Sequence, residues 1–139
     1  MQDRLEANKA VVLRYFEELW NQGKFEAMGE ILDPKFHDRI SRGISAWRDA
    51  CPDNRMVVEA VIAEGDLVVT RHNCEGTVHS GVWEATICGL SMAVPPTGKV
   101  LEDHGICIFR IVDGKIVEYW YEGNILELAQ QLGVVPTSG

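Results

Sequence analysis

Proton-transfer chemistry needs a titratable side chain beside other polar groups in an apolar setting, and the tail of this chain offers such a cluster. Glu118, Trp120 and Glu122 alternate within Gly114–Asn124. In an extended segment they share one face, with Tyr119 and Tyr121 opposite. A carboxyl beside an indole in an apolar pocket has its pKa raised, which suits a general acid. The same stripe also reads as a solvated face that lays Trp120 on a following helix. Asn124 and Glu127 have the spacing of a helix capping box, and Asn is a favoured N-cap.

Two neighbouring pairs exclude each other, because adjacent strand residues point to opposite faces. His104 shares its face with Glu102, Ile106, Ile108 and Arg110, and Asp103 shares its own with Gly105, Cys107 and Phe109. Only one of the two can enter a pocket. Arg71 and His72 are exclusive in the same way. Arg71 could clamp a carboxylate or polarise a carbonyl, or pair with a surface acid. His79 falls in or near an irregular loop and is expected to be solvated.

No metal and no organic cofactor are expected. The histidines and acids match no ligand spacing, and there is no phosphate loop or dinucleotide fingerprint. Cys51, Cys74, Cys88 and Cys107 form no CxxC and read as reduced thiols.

The elements that must position these groups follow from periodicity. Val12, Leu13, Phe16, Leu19 and Trp20 form a helical stripe ending at Asn21-Gln22-Gly23. A short second helix carries Phe25, Met28, Ile31 and Leu32 and stops at Asp33-Pro34. A third short helix lies around Ile44 and Trp47. Strands are predicted over Arg55–Ala63, Leu67–Val78, Leu101–Ile111 and Lys115–Glu122. The last two form a hairpin around Asp113-Gly114. Ser80–Lys99 reads as irregular, broken by Pro95-Pro96-Thr97-Gly98. Helices followed by an antiparallel sheet imply an α+β domain spanning 1–139.

With 139 residues and 46% hydrophobic content, the chain can bury a core. A formal net charge of −8 with no Lys/Arg cluster argues against nucleic acid. No apolar run could span a bilayer and no secretory signal is present, so the expectation is a cytoplasmic protein with no membrane partner.

The ordered set Leu19-Trp20-Asn21-Gln22-Gly23, Asp33-Pro34, Pro52-Asp53, Ala63-Glu64-Gly65-Asp66, Pro95-Pro96-Thr97-Gly98-Lys99, Phe109-Arg110 and Gly114-Lys115-Ile116 runs through the chain. With Glu118, Trp120 and Gln131-Leu132-Gly133 it resembles the SnoaL-like polyketide cyclases of the nuclear transport factor 2-like superfamily, from about Leu5 to Pro136. The resemblance implies a cone-shaped curved antiparallel sheet wrapped around N-terminal helices, and a small-molecule enzyme without cofactor. It places the strand of His104 on the cavity wall and His37 along the cone. In those cyclases the acid/base carboxylate lies four residues after the tail tryptophan. Here that position is Asn124, and an amide cannot exchange protons near neutral pH.

The expected function is therefore a cyclase or isomerase acting by general acid/base proton transfer on a hydrophobic polyketide-like molecule. His104 and Glu122 are the expected catalytic pair. Asn124, Trp120, Arg71, His37, Glu118 and His72 are expected to bind substrate. An epoxide-opening enzyme, a hydroxylase-accessory protein and a non-catalytic binding protein are the alternatives. Apolar residues on both faces of Arg55–Ala63 point to a homodimer through exposed sheet surface.

Overall fold

The structure is a computed structural model that describes residues 2–87 and 89–137, so Cys88 lies outside the described residues. Helix α1 (Gln2–Arg14) passes directly into a π-helical turn, Tyr15–Asn21. Gln22 N–H reaches Glu17 O at 3.1 Å, the wider spacing of such a turn. The widening buries Tyr15, Phe16 and Leu19 together. Gly23 ends the turn at φ +66°, where a side chain would be strained.

A 3₁₀ turn (Phe25–Ala27) and the one-turn α2 (Met28–Ile31) form the second helical segment. Asp33 caps a further 3₁₀ turn, Pro34–Phe36, through Lys35 N–H. That turn runs straight into α3 (His37–Ala50), which is therefore longer than the short helix expected around Ile44 and Trp47. Ile40, Ile44, Trp47 and Ala50 form its buried stripe.

The main sheet has strands β1 (Val57–Glu64), β2 (Leu67–Val78), β5 (Val100–Val112) and β6 (Lys115–Gly123) in the order β1-β2-β5-β6, all antiparallel. It curves around the helices, as expected. The stretch 80–99 is a correction. It carries a separate hairpin, β3 (Trp83–Ile87) with β4 (Leu90–Val94), and β3 packs on α3 through Trp83 and Trp47 at 5.3 Å. Trp83 and Ile87 supply an apolar face inside that stretch, which the Pro-rich break obscures.

Two bulges set which side chains enter the concave side. Gly76, at φ +77°, sits in the break between Glu75 and Thr77. Between Arg110 and Ile111 the partner strand gains one residue, Val117. Ile116 is buried in the core, and the extra residue turns Tyr119 and Tyr121 to the same side. Without the bulge, strict alternation would put Glu118, Trp120 and Glu122 there instead. The core centres on Phe109, with Tyr15 at 5.2 Å and Phe16 at 6.0 Å edge-on. Truncating such a fully buried ring typically costs ~3–5 kcal/mol.

Asn124 stands at the N-cap position of α4 (Ile125–Gln131), yet its side chain makes no cap bond, correcting the capping-box expectation. Its amide instead continues the sheet. Oδ1 accepts His104 N–H at 3.0 Å, and Nδ2 donates to Glu102 O at 2.8 Å. Gln131 from α4 grips the same strand, accepting Glu102 N–H at 2.8 Å and donating to Glu102 O at 3.1 Å. The β6 register with β5 ends at Gly123, opposite Gly105. These two amides satisfy the β5 backbone beyond that point.

Candidate active site

Between α3, the β3–β4 hairpin and the concave face of β5–β6 lies a cavity of about 1440 Å³. Its walls are mainly aromatic and apolar: Tyr15, Phe16, Trp20, Trp47, Trp83, Met92, Tyr119 and Tyr121. A pocket of that character takes up a hydrophobic molecule and leaves orientation to a few polar groups.

Asp103 and His72 are those groups on the sheet. Asp103 lines the cavity from the inner face of β5 and is only 8% exposed. It faces Cys74 in register, and His72 lies two residues before Cys74 on the same inner face. Asp103 and His72 are thus diagonal neighbours, a relation that places two residues ~7–8 Å apart with their Cβ atoms somewhat closer. Burial pushes the Asp103 carboxyl up to about 6, opposed by the nearby His104. Among the described residues no hydrogen bond holds that carboxylate. The amide clamps of Asn124 and Gln131 on Glu102 and His104 fix the backbone on either side of it.

His72 is sandwiched between Phe16 at 5.2 Å and the stacked Tyr121 ring at 5.9 Å. Burial, with Arg71 adding to it, lowers its pKa to about 4, so the ring is neutral at pH 7. Its Nδ1 is buried and finds no partner among the described residues. The Tyr121 ring can cross β5 because Gly105 and Gly123 face each other there. A Cβ on Gly105 would meet that ring at 2.5 Å, and one on Gly123 would meet the phenol oxygen at 2.0 Å. Burial raises the Tyr15 and Tyr121 phenols, which stay protonated. Cys107 also lines the cavity, but burial pushes its thiol up to about 12, so it is no ready nucleophile.

The expected catalytic pair does not share this cavity. His104 and Glu122 are absent from its lining, because they sit on the opposite face of their strands from Asp103 and Tyr121. His104 Nε2 lies 4.0 Å from Glu127. Of the residues expected to bind substrate, only His72 lines the cavity. Arg71 pairs with Glu59 on the outer face. Glu118 bonds Arg110 at 2.7 Å, and Arg110 stands over the half-exposed Trp120. His37 Nε2 meets Leu32 O at 3.1 Å, bracing the start of α3. His79 corrects another expectation. It is fully buried, with Nδ1 3.0 Å from Thr97 Oγ1, and it anchors the Pro-Pro-Thr-Gly turn to the end of β2. Asp103 and His72 were each one member of an exclusive pair in the sequence. The signal that could have selected Asp103 is its sharing a face with Phe109 and Cys107.

The sequence pattern of the SnoaL-like polyketide cyclases matches residues 10–132. The chain belongs to that family. Among solved structures it is similar to AclR, a candidate hydroxylase of Streptomyces galilaeus, at 25% identity and a TM-score of 0.75 over 97% of this chain and 86% of that one. A candidate SnoaL-like polyketide cyclase from Jannaschia Sp. CCS1 is 23% identical, with a TM-score of 0.73 over 94% of each chain. IdmH, a candidate polyketide cyclase of Streptomyces antibioticus, is 22% identical with a TM-score of 0.68, covering 91% of this chain and 98% of its own. No curated protein sequence matches the chain. No described helix is long and apolar enough to cross a membrane.

Proposed function

We propose that this SnoaL-like protein is a cyclase or isomerase that moves a proton on a hydrophobic polyketide-like molecule, with Asp103 as general base and neutral His72 as hydrogen-bond donor. The observation that carries this reading is one buried carboxyl and one buried imidazole, diagonal on the inner sheet face, opening onto a large aromatic cavity. Membership of the cyclase family supports it.

The Asp103 carboxylate takes a proton from a carbon next to a carbonyl. The C–H electron pair moves to the carbonyl oxygen, which accepts a hydrogen bond from an N–H of His72. The enolate then attacks a second carbonyl of the same molecule, whose π electrons move to its oxygen and take the proton from Asp103 as the ring closes, or it takes that proton back at another carbon. A carboxyl titrating near 6 is matched to such work at neutral pH. A neutral imidazole polarises an oxygen without the desolvation cost of a buried cation.

The test is exchange of the α-hydrogens of 1-tetralone in D₂O, followed by NMR. Catalysed exchange that vanishes in Asp103→Asn supports the assignment. Exchange that persists unchanged in that variant overturns it.

A second reading is a hydroxylase-accessory role, favoured by the likeness to AclR, or epoxide opening. There the protonated form of Asp103 would donate to the epoxide oxygen. We also propose that two chains pair as a homodimer through the outer face of the main sheet. Ile62, Val69, Ile108 and Trp120 align in one row across all four strands of the main sheet. Ile62 is 64% exposed and Trp120 46%, an apolar stripe suited to a second sheet.

A further inference from the structure

The charges around the cavity are sorted by end. Its acids, Asp49, Glu84 and Asp103, lie on the C-terminal half of α3, at the start of β3 and in the first part of β5. These elements meet through Ala50 with Ser80, Trp47 with Trp83, and Trp47 with Cys74 opposite Asp103. Its two arginines, Arg39 and Arg42, lie in the first half of α3. Arg42 is taken up by an ion pair with Asp38. Arg39 is not. Its guanidinium stands 5.3 Å over the Tyr119 ring, and among the described residues no carboxylate pairs with it. Asp49 is ten residues further along the same helix, ~15 Å away at the helical rise. Stacking on an aromatic face restricts where a guanidinium can sit while leaving its N–H donors free in the plane.

From this polarity we infer that the substrate is an elongated anion, whose carboxylate or similar acid group is held by Arg39 while its reactive end reaches Asp103. The inference rests on the reading of Asp103 as the base. Trp47, beside the Cys74 thiol, marks the Asp103 end of α3. It lies eight residues from Arg39, ~12 Å along the helix. A flat molecule of about three fused rings spans most of that distance. Arg39 attracts the anionic group and the acids at the far end repel it, so the two ends together exclude the reversed pose.

The test uses anthraquinone-2-carboxylate and its methyl ester, with binding read from quenching of tryptophan fluorescence. Trp20, Trp47 and Trp83 line the cavity and report on it directly. The acid should bind at least about tenfold tighter than the ester, the size expected of a charge-assisted bidentate contact. Arg39→Met should remove that preference by weakening the acid about tenfold and leaving the ester unchanged. Arg39→Lys should restore part of it. Equal binding of acid and ester, equal loss of both in Arg39→Met, or binding of neither would overturn the inference. Because binding is read without turnover, acid selectivity that depends on Arg39 while Asp103→Asn leaves exchange intact would sink only the catalytic assignment.

Discussion

The two faces of the main sheet carry similar residue types in opposite settings. On the outer face, Arg110 bonds both Asp66 and Glu118, Arg71 meets Glu59, and His104 stands near Glu127. Solvent screens these charges, and each such pair contributes little. On the inner face, one backbone step away, Asp103 is buried at the cavity wall and His72 lies between the Phe16 and Tyr121 rings, with no such partners among the described residues. Burial there favours the neutral form of each, raising the acid and lowering the base. Residue type alone does not make a catalytic group. The side of the sheet decides whether a carboxyl is a screened surface charge or a buried acid with a raised pKa.

The sharpest way to break this contrast is to exchange one group on each face. Asp103→Asn is expected to slow proton transfer by ~10²–10⁴-fold, measured as α-hydrogen exchange or turnover. A loss of under about threefold would end the claim that the inner face holds the chemistry. In the wild type the rate should rise with pH and level off above about 6, as Asp103 ionises.

The same variant gives a stability signature. The folded carboxyl titrates near 6 against an ordinary value of 3.8. The stabilisation linked to its proton is therefore complete below 3.8 and lost as pH rises through 6. Above that range the wild type carries a buried charge that Asp103→Asn lacks. The variant should thus gain about 2–3 kcal/mol relative to wild type between about pH 4 and pH 8, by urea unfolding. His72 has the opposite sign. Its folded pKa is depressed to about 4 from 6.5, so its contribution is present above 6.5 and lost as pH falls through 4.

The amide clamp separates positioning from capping. Asn124→Asp keeps an acceptor for His104 N–H but cannot donate to Glu102 O, so it should cost about 1–2 kcal/mol by urea unfolding. It should not add a catalytic group, since Asn124 does not line the cavity. A stable Asn124→Asp protein with faster turnover would reverse that conclusion. On the outer face, Ile108→Glu should shift the assembly toward monomer in light scattering at micromolar concentration, and a particle mass that stays dimeric would remove this row from the interface. The smallest effects belong to His104→Ala and Glu122→Gln, each expected to change turnover by less than about twofold. A tenfold loss in either would show that the outer face takes part in the reaction.

Much of this architecture is legible in the residues. The stripe ending at Trp20, the break at Asp33-Pro34, the apolar pair Ile44 and Trp47, the runs Arg55–Ala63 and Leu67–Val78 and the Asp113-Gly114 hairpin mark three N-terminal helical segments and the four strands of the main sheet. The family follows from the ordered motifs. The β3–β4 hairpin was hidden by the Pro-Pro-Thr-Gly break. Asn124 looked like a cap because cap spacing is local, whereas its real partners, Glu102 and His104, are distant in sequence.

The sequence by itself determined the composition of the site: which strands carry acids and imidazoles, and that neighbours such as Asp103 and His104 cannot both enter one pocket. Only the tertiary structure decided which member does. Strand alternation is a parity, and one extra residue inverts it. The bulge at Val117 does this to β6, turning Tyr119 and Tyr121 inward and Glu118, Trp120 and Glu122 outward. A bulge depends on how two strands pair, which no stretch of β6 records alone. Burial, which moves Asp103 to about 6 and His72 to about 4, exists only once helices, hairpin and sheet have closed around the cavity.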